Sequence, residues 1–227
     1  MKIAFLIVLI LICSLGQSQT IENDSTVKTR FNQSLIIELD SMAKLDQLAA
    51  WNAFPPEGYE DFSQDKWNAF KDSIYRTHQS RLAEIFERYG YPGFDLVGKK
   101  GETNFWVMVQ HSDFDPDFQY RVLEKLKIEV DNKKADSRHY ALLLDRVNLN
   151  TNKEQIYGTQ VTYNDFGQAY PRDLYDSLGV DKRRHEVGLD PLIDYLNRMT
   201  TMHFEMNKDN LREKGILEPM IYKKIEN

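Results

Sequence analysis

From position 31 onward, apolar residues recur every three or four positions. Phe31, Leu35, Ile36, Leu39, Met42, Leu45 and Leu48 predict an amphipathic helix over 31–51. The stretch Phe54-Pro55-Pro56-Glu57-Gly58 breaks it. A second stripe, Trp67, Phe70, Ile74, Leu82, Ile85, Phe86 and Tyr89, predicts a helix with Ser63 as N-cap and Gly90 as its terminating glycine. Residues 94–100 read as a loop. Residues 104–111, with Phe105, Trp106, Val107, Met108 and Val109, read as a helix buried on most sides, although a buried strand looks similar over so short a run.

Asp115-Pro116 has the form of an N-cap followed by a first helical proline, and opens a helix to about 130. Another runs from about 137 through Tyr140, Leu143, Leu144 and Val147. The pattern then changes. Residues 148–150 and 155–157 flank a polar turn and predict a short hairpin, and 161–163 and 168–170 flank a second, irregular one. A short helix over 181–187, capped by Asp181 and ended by Gly188, precedes a helix opened by Asp190-Pro191 and carrying Leu192, Ile193, Tyr195, Leu196 and Met199. The expected fold class is mainly α: a helical single domain, residues 31–204, with a small irregular β-hairpin element after the central helices. Residues 19–30 read as a flexible lead and 205–227 as a weakly patterned end.

The start of the chain has a different character. Lys2 is followed by an apolar run over 3–12, with Gly16 and Ser18 three and one positions before Gln19. This predicts a secretory signal peptide, residues 1–18, cut at Ser18-Gln19. The run is short of the roughly 20 apolar residues of a membrane span. Lipid anchoring at Cys13 is disfavoured, because Ile12 stands where a small residue is needed. Cleavage would remove the chain's one cysteine and leave a secreted or periplasmic protein stabilised by packing alone, without a disulfide or thiolate chemistry.

Composition narrows the class further. The 227 residues are 41% apolar, 12% aromatic and 28% charged, which excludes a disordered chain. A formal charge of −6 provides no basic footprint for nucleic acid. No H-E-x-x-H, Gly-rich phosphate loop or G-x-S-x-G elbow is present, so no metal is expected and no cofactor is indicated.

Four clusters fit poorly as plain packing. Gln110-His111-Ser112-Asp113-Phe114-Asp115, with Gln119 beyond, places a histidine and two carboxylates at the end of an apolar segment. That set can transfer protons, since a carboxylate orients and raises an imidazole. It can instead supply oxygen and nitrogen ligands to a metal, and it also reads as an N-cap, an Asx turn and a half-buried histidine. Asp145-Arg146 follows the apolar run 141–144, so both charges require partners, and Asp113 or Asp115 is a candidate for Arg146. Gln155, Tyr157, Thr159 and Gln160 place amides and hydroxyls on both faces of a short segment, suited either to a polar ligand or to loop backbone. In Asp181-Lys182-Arg183-Arg184-His185, Arg184 or Arg183 can turn inward or stay solvated.

Taken in order, these blocks resemble a family of uncharacterised bacterial proteins carrying Q-H-x-D-x-D-P-x-x-Q, L-x-D-R-V and Q-x-Y-G-T-Q motifs. The matching residues are 109–119, 143–147, 155–160 and 181–189, with the Gly-Tyr-Pro turn at 90–92 and Val97-Gly98. The resemblance covers about 80–196. It implies that the blocks share one site or one packed core, and it brings no function. Three readings follow. The first is a binding module for a small polar ligand in a pocket around His111, Arg146 and Gln160, with Gln110, Gln119, Asp145, Gln155, Tyr157, Thr159 and Arg184 contributing. The second is a hydrolase or lyase in which Asp113 or Asp115 orients His111 and Arg146 stabilises negative charge. The third is a buried polar network that fixes the fold.

Overall fold

The computed structural model describes residues 31–223, which form eight helices and one two-stranded antiparallel sheet. The expected signal peptide, residues 1–18, and the expected lead, residues 19–30, lie outside the described residues. Among the described residues no helix is long and apolar enough to cross a membrane. The chain divides into two compact units. One holds the residues up to Ser112 together with Asp131–Ala135, and the other holds Asp113–Val130 and the residues from Asp136 on.

The first unit is built from α1 (Gln33–Trp51), α2 (Gln64–Tyr89) and α3 (Phe94–Gln110), each packed against the other two. Their ends follow the chemistry of the sequence. Asn32 Oδ1 accepts from Leu35 N–H at the start of α1, and Ser63 Oγ accepts from Lys66 N–H at the start of α2. Gly90 closes α2 and returns its N–H to Phe86 O. The expected loop over 94–100 is a helical turn instead. Its backbone leaves the helix only at Gly98 (φ 69°, ψ 173°), so α3 is two helical pieces joined by a kink. Trp67, Leu82, Ile85, Phe105, Trp106, Met108 and Val109 fill the core of this unit.

The buried stripe of α1 departs from the one traced by its bulky residues. Leu35, Leu39, Ala43, Asp46, Ala49 and Ala50 face inward, while Leu45 is exposed. The small alanines let α1 lie close to its neighbours. The stripe also carries Asp46 into the core. On α2 the inward stripe runs Trp67, Ile74, His78, Leu82 and Ile85, so a histidine fills the gap between Ile74 and Leu82.

The second unit contains α4 (Pro116–Asp131, the last residue counted with the first unit), α5 (Ser137–Asn150), β1 (Val161–Tyr163), β2 (Ala169–Pro171), α6 (Val180–Glu186), α7 (Leu192–Met206) and α8 (Lys208–Glu213). Asp115 Oδ1 accepts from Phe118 N–H and starts α4 as expected. The sheet pairs Val161 with Pro171, Thr162 with Tyr170 and Tyr163 with Ala169, the second of the two expected hairpins. The first does not form. Residues 148–150 complete the last turn of α5, and Gln155 makes only an isolated parallel bridge to Leu174. Asp190 does not cap α7; its carboxylate takes Arg198 (2.9 Å).

What replaces that hairpin is a loop wrapped around a carboxylate. Asp145 is fully buried on α5. Its Oδ1 accepts from the N–H groups of Ile156 (2.7 Å) and Tyr157 (3.1 Å), and Oδ2 from the N–H and hydroxyl of Thr159 (2.9 Å each). Gly158 turns the chain between them at φ 66°, where an added Cβ would also stand 3.1 Å from Leu192 Cδ1. Burial pushes the Asp145 carboxyl up, against the pull of these donors. Asp145→Asn would aim an NH₂ group at backbone N–H groups and strand at least one of them. We expect a loss of about 2–4 kcal/mol, read as a lower denaturant midpoint with unchanged slope. A change below about 0.5 kcal/mol, the size of an ordinary surface substitution, would contradict this role.

Candidate functional site

The expected site residues separate between the two units. Gln110 and His111 close the first unit, and Asp113, Asp115, Gln119, Asp145, Arg146, Gln155, Tyr157, Thr159, Gln160 and Arg184 belong to the second.

Within the second unit most of these groups are engaged with other parts of the chain. Arg146 Nη1 donates to Asp113 Oδ2 at 2.6 Å, the ion pair that the sequence suggested. Asp113 Oδ1 also accepts from Gln119 Nε2 (3.1 Å) and Asn150 Nδ2 (2.9 Å). Gln155 holds the backbone of Gln160 at two points, accepting from its N–H at 2.7 Å and donating to its carbonyl at 2.9 Å, as a strand partner would. Its Nε2 reaches Arg172 O as well (2.6 Å). Gln160 Nε2 donates to Thr159 Oγ1 (3.3 Å). Arg184 does turn inward, and it meets backbone carbonyls: Asp190 O at 2.6 Å and Tyr157 O at 2.7 Å. Arg183 holds Ile156 O and Asp176. These bonds fix the loop over 155–160 from both sides.

His111 has a different carboxylate from either one expected. Its Nδ1 lies 2.7 Å from Asp46 Oδ2. The expected orienting groups are engaged elsewhere, Asp113 by Arg146, Gln119 and Asn150, and Asp115 by the first turn of α4. The Asp46 pairing arises because α1 carries Asp46 into the core on its inward stripe and His111 caps the C-terminal end of α3. Gln47 Nε2 donates to the same oxygen at 3.0 Å. The other oxygen, Oδ1, faces His78 Nδ1 at 3.9 Å, too long for a direct hydrogen bond. The Tyr75 ring lies 5.4 Å from the His111 ring.

Burial acts to push Asp46 up. The charge and hydrogen bond of His111, with His78 and Gln47, outweigh it, so the carboxyl lies below its ordinary range. Burial and the Asp46 charge together push the Tyr75 hydroxyl up. An ionised carboxylate only accepts, so His111 Nδ1 is the donor, and Nε2 is the nitrogen left to exchange a proton. Asp46 Oδ1, His78 Nδ1 and Tyr75 Oη are all buried without a hydrogen-bond partner among the described protein atoms. Such atoms are rare in native proteins, and two of these, Asp46 Oδ1 and His78 Nδ1, face each other 3.9 Å apart. Among the described residues no set of three or more His, Cys, Asp or Glu is arranged to hold a metal ion.

A family model for a family of unknown function, DUF6624, matches residues 35–205. The chain belongs to the DUF6624 family. The match takes in α1, α2 and α3, and so includes Asp46 and His78 as well as His111. No curated protein and no solved structure matches the chain.

Asp46 and His78 escape a reading that follows large apolar residues. Their signal is positional, because each is a titratable residue on an otherwise apolar stripe. The lowered Asp46 carboxyl carries a sign for stability. Its contribution is present above the unfolded carboxylate range of about 4 and is lost as pH falls through the lower folded value. Denaturation measured from pH 7 to pH 3 should therefore show the wild type losing more stability in acid than Asp46→Asn. Parallel pH profiles for the two proteins would contradict the pairing.

Proposed function

We propose that this DUF6624 protein is a secreted bacterial envelope enzyme, a hydrolase or lyase, in which His111 transfers the proton and Asp46 holds the His111 ring in place. The observation that carries this reading is the asymmetry of the pair. The Asp46 side chain is 1% exposed, while His111 keeps 13% of its side-chain surface. A water-excluded carboxylate on Nδ1 fixes the ring and its tautomer so that Nε2 faces the reaction, and balances the charge that forms there without taking the proton itself. The basic start and apolar run at 3–12 support secretion, and the family resemblance of the four blocks supports a bacterial source.

In such a reaction Nε2 of His111 removes a proton from water or from a carbon or hydroxyl of the substrate. The charge that develops on the ring is balanced by Asp46 at 2.7 Å, in surroundings where Coulomb attraction is weakly screened. Gln47 Nε2 also donates to Asp46 Oδ2, at 3.0 Å, and on the other side of the carboxylate His78 Nδ1 stands 3.9 Å from Oδ1. The reading of a small-polar-ligand pocket around His111, Arg146 and Gln160 draws less support, because Asp113 engages Arg146 and the Gln155 clamp holds Gln160. For the 145–160 block, the local bonding favours a role in fixing the fold.

The test is turnover of a panel of esters, amides, phosphodiesters, glycosides and β-eliminating substrates by the wild type, His111→Ala and Asp46→Asn. We expect one substrate class to be turned over. We expect His111→Ala to remain folded and lose kcat by about 10²–10⁴-fold, and Asp46→Asn to lose a comparable factor. Turnover unchanged in folded His111→Ala would overturn the assignment, as would no turnover across the panel.

A further inference from the structure

A second feature lies in the other unit, independent of the His111 pair. The turn joining β1 to β2 and the junction of α7 with α8 line an open cleft of about 540 Å³, within the usual size range of small-molecule pockets. Asn164, Asp165, His203, Asn207, Asn210 and Lys214 supply its polar lining, and Leu211 and Gly167 its apolar part.

One wall, the turn, is set by contacts within the chain. Asn164 Oδ1 accepts from the N–H groups of Phe166 and Gln168 (3.0 Å each), which sets the turn. Gly167, at φ 72°, brings that turn so close to α7 and α8 that a Cβ would meet His203 Cδ2 at 3.2 Å and Leu211 Cδ1 at 3.3 Å. The His203 ring lies flat on Tyr163, with centroids 3.8 Å apart and planes 17° apart.

The protonation of His203 follows from its neighbour. Asn207 Nδ2 donates to the carbonyl of His203 at 2.9 Å, and a carbonyl only accepts, so that atom is the amide nitrogen. The same nitrogen lies 3.3 Å from His203 Nδ1, a contact that suits the neutral ring with its hydrogen on Nε2. Burial, helped by the charge of Lys214, favours the same neutral form. The cavity thus offers a neutral imidazole donor, amides that donate and accept, one ammonium and one carboxylate. The Asp165 carboxylate opposes an anion and the Lys214 ammonium opposes a cation. The Asn207 amide oxygen, the Asn210 amide and the His203 imidazole, which donate and accept between them, match vicinal hydroxyls.

We propose that this cavity binds a neutral saccharide unit. The contact set is small, and a monosaccharide has a dozen or so heavy atoms, so the expected Kd is on the order of 1 mM. The full-chain protein is titrated with glucose, galactose, mannose and N-acetylglucosamine, and separately with glycine and inorganic phosphate, while backbone and imidazole NMR signals are followed. The expected result is saturable shifts with at least one sugar, confined to 164–167 and 203–214, with His203 in its neutral Nε2–H form. Asn210→Ala and Lys214→Ala, both at exposed positions, should each weaken that sugar by about five- to ten-fold and leave the remaining spectrum intact. Saturable binding of glycine or phosphate without any sugar would overturn the proposal. So would no shift with any sugar, or sugar affinity unchanged in both variants.

Discussion

A carboxylate removed from water must be given partners, and each unit of this protein is organised around one that has been. Burial of a lone ionised carboxylate costs several kcal/mol even after the surroundings relax. Asp46 meets that requirement with His111, Gln47 and the nearby His78. Asp145 meets it with three backbone N–H groups and a hydroxyl from one loop. The two solutions have opposite consequences. The partners of Asp145 are fixed amides, so the interaction locks the chain. The principal partner of Asp46 is titratable and retains contact with solvent, so the interaction prepares a proton-transfer group.

Much of the fold can be read from residue spacing and caps. Ser63 and Gly90 bound α2 as their chemistry requires, and Asp115 starts α4. The helix at 104–111 and the hairpin after the central helices are also where the patterning places them. The misreadings have physical causes. Gly98 lets α3 start early and kink, so a helical piece at 94–97 resembled a loop. The segment over 155–160 has strand-like composition, but its N–H groups go to Asp145, and no ladder remains for it to join. α8 lies in a segment whose apolar positions are too sparse to show a period, and it buries Leu211 alone.

The site was legible in one part and hidden in another. Charges after an apolar run require partners, and that argument reaches the pairing of Arg146 with Asp113. The partner of His111 is out of reach from spacing alone, because the bulky apolar positions of α1 run through Met42, Leu45 and Leu48. The helix actually buries Ala43, Asp46, Ala49 and Ala50. Small residues on an inward face leave little hydropathic trace, and the carboxylate among them looks like a surface charge. His78 lay in the same blind spot, in a gap between Ile74 and Leu82 that the helical period should have filled.

The central claim is that His111 is held at Nδ1 by an ionised Asp46 and is free to exchange a proton at Nε2. Imidazole ¹H–¹⁵N spectra of the protein at neutral pH test this most directly, with Asp46→Asn as the reference. The account predicts a slowly exchanging His111 Nδ1–H shifted strongly downfield by its carboxylate partner, and loss of that signal in Asp46→Asn. A His111 ring carrying its hydrogen on Nε2 alone, with the same spectrum in both proteins, would contradict it.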